Sequence, residues 1–267
     1  MAHSQVATWR HFLPAHRLPV IAKTPVLVAL GVYLGGGRFD RLAVGGALGL
    51  SAALWAALYA LNESTDLIHE QGYTVRQSVR RTLFALPLAL CLLAALLSPL
   101  LSLLFLLMAA GQFAYCVPPL RLKRYWWAIL LLSGTINPIL RLLCGVLWGA
   151  HAVPPLAYAV VVSLHLGASL RARVLLRERD ARLGYRVAPA GSELVGIICT
   201  GVGLLGGFWL CVTGVLPKIF ALFGVLAAGF AIYAWSGRET SVAHLRQGWL
   251  LFAIFSVVAL LALLLRG

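Results

Sequence analysis

Asn62, Asp66 and Glu70 stand four residues apart in a chain with only eight acidic residues, three of which fall between Asn62 and Glu70. On a helix this spacing keeps all three on one face, drifting about 40° and rising about 6 Å per step. The stripe offers two carboxylates and an amide oxygen in a row. Mg2+ takes one or two carboxylates and leaves its other positions to water and substrate phosphate, so so sparse a stripe matches a metal-chelated diphosphate. Glu63 points about 100° away from Asn62 and is the weaker ligand. The plain alternative is a polar helix end dissolving into water, and the poverty of the chain in acids weighs against it.

A second polar stretch reads Tyr115-Cys116-Val117-Pro118-Pro119-Leu120-Arg121-Leu122-Lys123-Arg124. Two consecutive prolines stop the apolar run before them. Arg121 and Lys123 alternate with Leu120 and Leu122, so an extended segment turns both cations the same way, a geometry suited to clamping a phosphate group. Arg124 follows as a further substrate-binding candidate; the simpler reading of all three cations is that they anchor a membrane helix at its cytoplasmic end.

The elements that must carry these residues are apolar. Of 267 residues, 61% are hydrophobic and 11% charged, and the mean hydropathy is +0.91. These values exclude an ordinary soluble domain and describe a polytopic membrane protein. Nine runs approach the roughly 17 to 25 residues that cross a bilayer: 19–37, 42–61, 82–98, 100–117, 126–149, 153–172, 193–214, 217–235 and 248–265. Lys23 and Pro25 interrupt the first, and Ser98-Pro99 alone divides the third from the fourth. The expected architecture is all-α, one membrane domain over residues 1–267, with no linker long enough to separate two.

With the N-terminus in the cytoplasm, seventeen Lys and Arg residues fall on that side against four on the other, Arg141 being left inside a span. The positive-inside rule therefore places both polar stretches and the basic 171–186 loop in the cytoplasm. The net charge of +14 is mostly this bias, so no nucleic acid is expected as a partner, while anionic lipid headgroups are. Residues 1–18 lack the apolar core of a cleavable signal. Cys91, Cys116, Cys144, Cys199 and Cys211 lie in or beside spans without a C-x-x-C pair and read as small hydrophobes. The glycine-rich stretches Gly35-Gly36-Gly37, Gly45-Gly46 and Gly201 to Gly207 are expected to let helices pack closely.

In its two polar stretches, and across its whole length, the chain resembles the UbiA-type intramembrane prenyltransferases. That family pairs an N-x-x-x-D-x-x-x-D motif after the second of nine helices with a Y-x-x-P-P-L-R-x-K segment after the fourth. The resemblance implies a helical bundle around a cavity that opens towards the cytoplasm or laterally to lipid. It implies Mg2+ bridging a prenyl diphosphate to two acidic motifs, with Asn62, Asp66 and Glu70 matching the first, and Arg121 and Lys123 facing the diphosphate. Glu70 replaces the more usual Asp, a longer arm with the same charge.

The second acidic motif departs from the family's D-x-x-x-D-x-x-x-G. Asp180 and Gly184 match its end, but Leu176 holds the earlier Asp position and Arg173 the one before that. Glu178 lies about 200° around a helix from Asp180. Asp180 therefore remains the expected ligand from this side, with the second metal in question. The six arginines from 171 to 186, Arg179 and Arg182 among them, offer direct neutralisation of the diphosphate, beside their ordinary role at a headgroup layer.

Prenyl transfer ionises an allylic C–O bond, so the departing diphosphate and the allyl cation both need stabilising. Mg2+ with Arg121, Lys123, Arg179 and Arg182 serves the first, and aromatic faces serve the second. Tyr115, Tyr185, Trp126 and Trp127 stand near the mouth, where Tyr and Trp also gather without catalytic duty. Asn137, Arg141 and His165 fall inside the fifth and sixth spans, where polar groups are costly enough to be functional candidates. Arg141 suits an acceptor's carboxylate or hydroxyl, or else snorkels outward; His165 reads first as an interhelical hydrogen-bonder. The expected activity is Mg2+-dependent transfer of a prenyl group from its diphosphate to a lipophilic, aromatic acceptor. Terpene cyclisation or transfer to a non-aromatic acceptor is the alternative raised by the incomplete second motif, and a transporter or non-catalytic lipid binder is the third.

Overall fold

The structure, a computed structural model, describes residues 6–7, 9–12, 18–236 and 254–265. Its helices are α1 (Trp9–Phe12), α2 (Leu18–Leu34), α3 (Leu42–Gln71), α4 (Gln77–Ala95) and α5 (Pro99–Cys116). They are followed by α6 (Trp126–Val146), α7 (Pro155–Leu175), the short α8 (Arg177–Arg182), α9 (Ser192–Val212), α10 (Ile219–Ser236) and α11 (Ile254–Leu264). No strand occurs among the described residues, only two isolated bridges. The protein is an all-α polytopic membrane bundle.

Six helices (α3, α4, α5, α6, α7 and α9) are long and apolar enough to cross a membrane. Shorter apolar helices in α2, α10 and α11 stand where the first, eighth and ninth spans were expected. The start of the ninth, 248–253, lies outside the described residues. Leu92, Leu96 and Leu205, all more than 70% exposed, turn outward into what must be lipid. The division between the third and fourth spans falls where the sequence put it: Ser98 accepts a hydrogen bond from the Leu101 amide, and Pro99 opens α5.

Three features position the site. First, α3 runs 30 residues, about 45 Å, so it outlasts a bilayer core of about 30 Å and carries Asn62 to Glu70 past the end of the apolar run. It stops at Gly72, whose φ of 72° suits glycine alone and lets its amide reach the Leu67 carbonyl. Second, α6 is wound as a π-helix over Leu130–Ile136, just before Pro138. Proline supplies no amide to the turn behind it and crowds the carbonyl four residues back, so the ladder widens there. The Thr135 hydroxyl takes the Leu130 carbonyl at 3.1 Å.

Third, α2 and α6 touch backbone to backbone. A Cβ on Gly145 would come within 1.9 Å of the Val28 carbonyl, one on Gly31 within 2.1 Å of the Leu142 carbonyl, and one on Gly149 within 2.2 Å of the Gly35 carbonyl. Of the glycines expected to allow close packing, Gly35, Gly37, Gly46, Gly203 and Gly206 do so, whereas Gly45 and Gly201 face open space. Trp55, Leu58, Phe105, Met108, Leu140 and Cys144 form the main core between α3, α5 and α6. The five cysteines are free and, Cys199 apart, buried.

Candidate active site

The end of α3, the turn after α5 and α8 meet at one mouth. Asp66 and Glu70 project from α3, and Glu70 is the hub. It accepts hydrogen bonds from Arg121 Nη2 at 3.3 Å, the Tyr185 hydroxyl at 2.8 Å and Arg179 Nη2, and its Oε1 is 3.0 Å from Lys123 Nζ. Lys123 Nζ also pairs with Asp66. The side chains of Glu70, Lys123 and Arg121 are 5%, 5% and 8% exposed. Charges this buried persist only when paired. Three cations against two carboxylates leave the mouth with an excess of positive charge. An opening of about 410 Å³, within the range of small-ligand cavities, is lined by Glu63, Asp66, Glu70, Gln71, Arg179, Arg182 and Leu183.

The cations arrive by a route the alternating pattern did not foresee. The Arg121–Arg124 segment is not extended. Arg121 sits at φ 40°, in the left-handed region, and Leu122–Arg124 forms a single 3-10 turn. A non-glycine residue there costs of order 1–3 kcal/mol. The turn nevertheless aims Arg121 and Lys123 at the same carboxylate. Arg124 is exposed; its carbonyl accepts from the Arg186 amide at 2.8 Å, and its side chain does not join Glu70. Glu63, expected to point away, also lines the opening. Arg182 does so too, without an ion pair to the α3 carboxylates. Asn62 lies one turn before Asp66, and its Oδ1 is buried without a hydrogen-bond partner.

Tyr185 joins the site through more than its position near the mouth. Its ring lies 5.7 Å from the Arg121 guanidinium. Burial, aided by the hydrogen bond to Glu70, pushes its hydroxyl up to about 12, so it stays protonated and remains a donor at neutral pH.

Asp180 and Tyr115 belong to a different cluster. Arg173 Nη1 donates to Asp180 Oδ2 at 2.7 Å and Nη2 to the Tyr115 hydroxyl at 3.2 Å. Asp180 is 2% exposed. Sequence reasoning registered Arg173 only as a mismatch. Its partner Asp180, seven residues on, is out of reach on a continuous helix, and the break at Leu176 between α7 and α8 brings the two together.

Asn137 and Arg141 lie deep, 2% and 3% exposed. The Arg141 guanidinium stacks 3.6 Å over the Trp55 ring and is hydrogen-bonded to Tyr59, while its Nε and Nη1 have no partner. It does not snorkel. Lys23 and His165 are within electrostatic range of it. His165 Nδ1 is 2.8 Å from the Val161 carbonyl, the ordinary structural reading of a buried histidine. Trp127 is exposed and stacks with Tyr125.

The structure is thus a helical membrane bundle with a cluster of paired charges at one mouth. No family model matches the sequence, and no curated relative does. Solved structures do. A UbiA homolog from Archaeoglobus fulgidus bound to DMAPP and Mg2+ matches with a TM-score of 0.66 and 16% identity, covering 95% of this chain and 99% of that one. A UbiA homolog from Archaeoglobus fulgidus bound to Cd2+ matches at 0.65 and 14%, covering 97% and 99%. One bound to GPP and Mg2+ matches at 0.63 and 15%, covering 95% and 99%. The fold of this chain is the UbiA-type fold.

Proposed function

We propose that the protein is a Mg2+-dependent intramembrane prenyltransferase that moves a prenyl group from its diphosphate to a lipophilic, aromatic acceptor. The observation that carries this reading is Glu70 ringed by Arg121, Lys123, Arg179 and Tyr185 beside Asp66, at the mouth of a bundle whose structural neighbours include homologs bound to DMAPP or GPP with Mg2+. The donor set fits Mg2+. Two carboxylates and the unpartnered Asn62 oxygen form a partial shell for diphosphate and water to complete. Among the described residues no group of three His, Cys, Asp or Glu gathers into a protein-only cage.

In this mechanism an arriving diphosphate draws Arg121, Lys123 and Arg179 off the carboxylates, and Asp66, Glu70 and Asn62 are the residues that would hold the ion. Bound there, Mg2+ would supply charge neutralisation on the leaving diphosphate. The allylic C–O bond breaks with its electron pair passing to the diphosphate oxygen, and Arg121, Lys123 and the Tyr185 hydroxyl stabilise the charge that develops there. The acceptor's nucleophilic carbon or oxygen then bonds to the allylic carbon and loses a proton. The mouth and its loops face the cytoplasm in this reading, as the positive-inside rule requires.

Arg141, buried and stacked on Trp55, favours transfer over cyclisation, because a guanidinium fixed at depth attracts an acceptor carboxylate or phenolate and repels a carbocation migrating along a folded chain. The test is release of diphosphate and formation of product in nanodiscs. Geranyl, farnesyl and geranylgeranyl diphosphates would be supplied with Mg2+ or EDTA, with and without aromatic acids. Metal-dependent release that rises with an aromatic acid is the expected result. Hydrocarbon or alcohol products without an acceptor would overturn transfer, and no release from any donor would overturn the enzyme reading.

A further inference from the structure

Towards the opening the α3 side presents Glu63, Asp66 and Glu70, whereas the side built by α7 and α8 presents Arg179 and Arg182 and no acid. Asp180 is 2% exposed and its carboxylate is held by Arg173. Glu178 is exposed, and Glu193 pairs with Arg171 at 3.5 Å. Arg173 is itself buried, anchored by the Tyr115 hydroxyl, and its Nε has no partner. A guanidinium stays charged under all conditions and cannot leave as an ion can. Leu176, at the break between the helices, adds no ligand.

Resting on the prenyltransferase reading above, we propose that Arg173 is a resident cation that stands in for a second metal. The protein then binds one divalent ion per diphosphate, on Asn62, Asp66 and Glu70, and Asp180 serves to hold Arg173. The physical requirement is the same on both sides of the diphosphate: positive charge fixed in a low-dielectric setting. On the α3 side an exchangeable ion supplies it. On the α7–α8 side a covalently attached one does, at no cost in ion binding. Asp180 keeps that guanidinium in one orientation, and the unpartnered Nε is left as a buried donor. Arg173 is thus a positioning and charge-compensating residue, not a proton donor.

The measurement is a count of bound Mn2+, a spectroscopic stand-in for Mg2+, on the full-length protein in nanodiscs with inorganic pyrophosphate. Electron paramagnetic resonance reports both the number of ions and any coupling between them. The wild type is expected to bind one Mn2+ with no Mn–Mn coupling. The double variant Arg173→Asp with Leu176→Asp, which removes the guanidinium and adds two carboxylates beside Asp180, is expected to bind two that are coupled. Leu176→Asp alone, with Arg173 retained, is expected to bind one, and it keeps the test alive if the double variant does not fold. Two ions on the wild type, or one ion on a folded double variant, would overturn the proposal. A wild type that binds no Mn2+ with pyrophosphate would instead overturn the prenyltransferase reading on which it stands.

Discussion

At the mouth Asp66 and Glu70 are held by Arg121, Lys123 and Arg179, so single substitutions separate binding from folding. Asp66→Ala is expected to lower metal-dependent diphosphate release by about 100-fold or more, the scale of losing a preorganised electrostatic group; full activity in that variant would end the proposed mechanism. Lys123→Met leaves Asp66 without its cation in a buried setting, while Glu70 keeps Arg121 and Arg179. A loss of about 3–5 kcal/mol is expected from breaking a buried pair on one side, read as a lowered melting temperature in detergent. Tyr185 gives a pH signature. Its hydroxyl is raised from 10.0 to about 12, first by burial and then by Glu70. Because the folded value lies above the unfolded one, its contribution to stability is complete below pH 10.0 and lost as the pH climbs towards about 12. Phenolate absorbance compared between wild type and Tyr185→Phe should show one tyrosine titrating late. At this scale the sequence was most legible where spacing alone decides geometry, as for Asn62, Asp66 and Glu70. It was least legible where a residue acts against its type, as Arg173 does in a position expected to hold an acid.

At the scale of elements, the spans followed from apolar length, and their ends from capping and proline. The periodicity of α3 continued through its polar end because nothing between Asn62 and Gln71 breaks a helix; only Gly72 does. The segment after α5 went the other way. Pro118-Pro119 made the stop legible, but the conformation beyond it depended on α3 and α8 standing opposite, so an extended strand-like reading gave way to a left-handed Arg121 and a 3-10 turn. The glycines make a separate prediction. Gly145→Ala should lower the melting temperature, since its Cβ would meet the Val28 carbonyl at 1.9 Å and overpacking of this kind costs about 1–3 kcal/mol. Gly45→Ala, with nothing within 4 Å, should leave it unchanged. Sequence counts of glycine could not rank these two, because the distinction lies in how closely another backbone approaches.

For the whole molecule, the distribution of basic residues predicts a sidedness that labelling can read. A cysteine replacing Gln77, exposed at the start of α4, should react with a membrane-impermeant thiol reagent in inside-out vesicles only. One replacing Arg38, exposed between α2 and α3, should react in right-side-out vesicles only; the opposite pattern would reverse the proposed orientation. By itself the sequence determined that the chain is a helical membrane bundle, where the third and fourth spans divide, and which helix carries the acidic stripe. Those properties are local, set by runs of apolar residues, by a period of 3.6 and by prolines and glycines at the turns. Only the tertiary structure decided that Glu70, rather than Asp66, is the shared centre of the cations, that Asp180 belongs to Arg173, and that Arg141 lies over Trp55 instead of reaching for an interface. A buried charge takes whichever partner the packing brings within about 4 Å, and that choice is made between helices far apart in the chain.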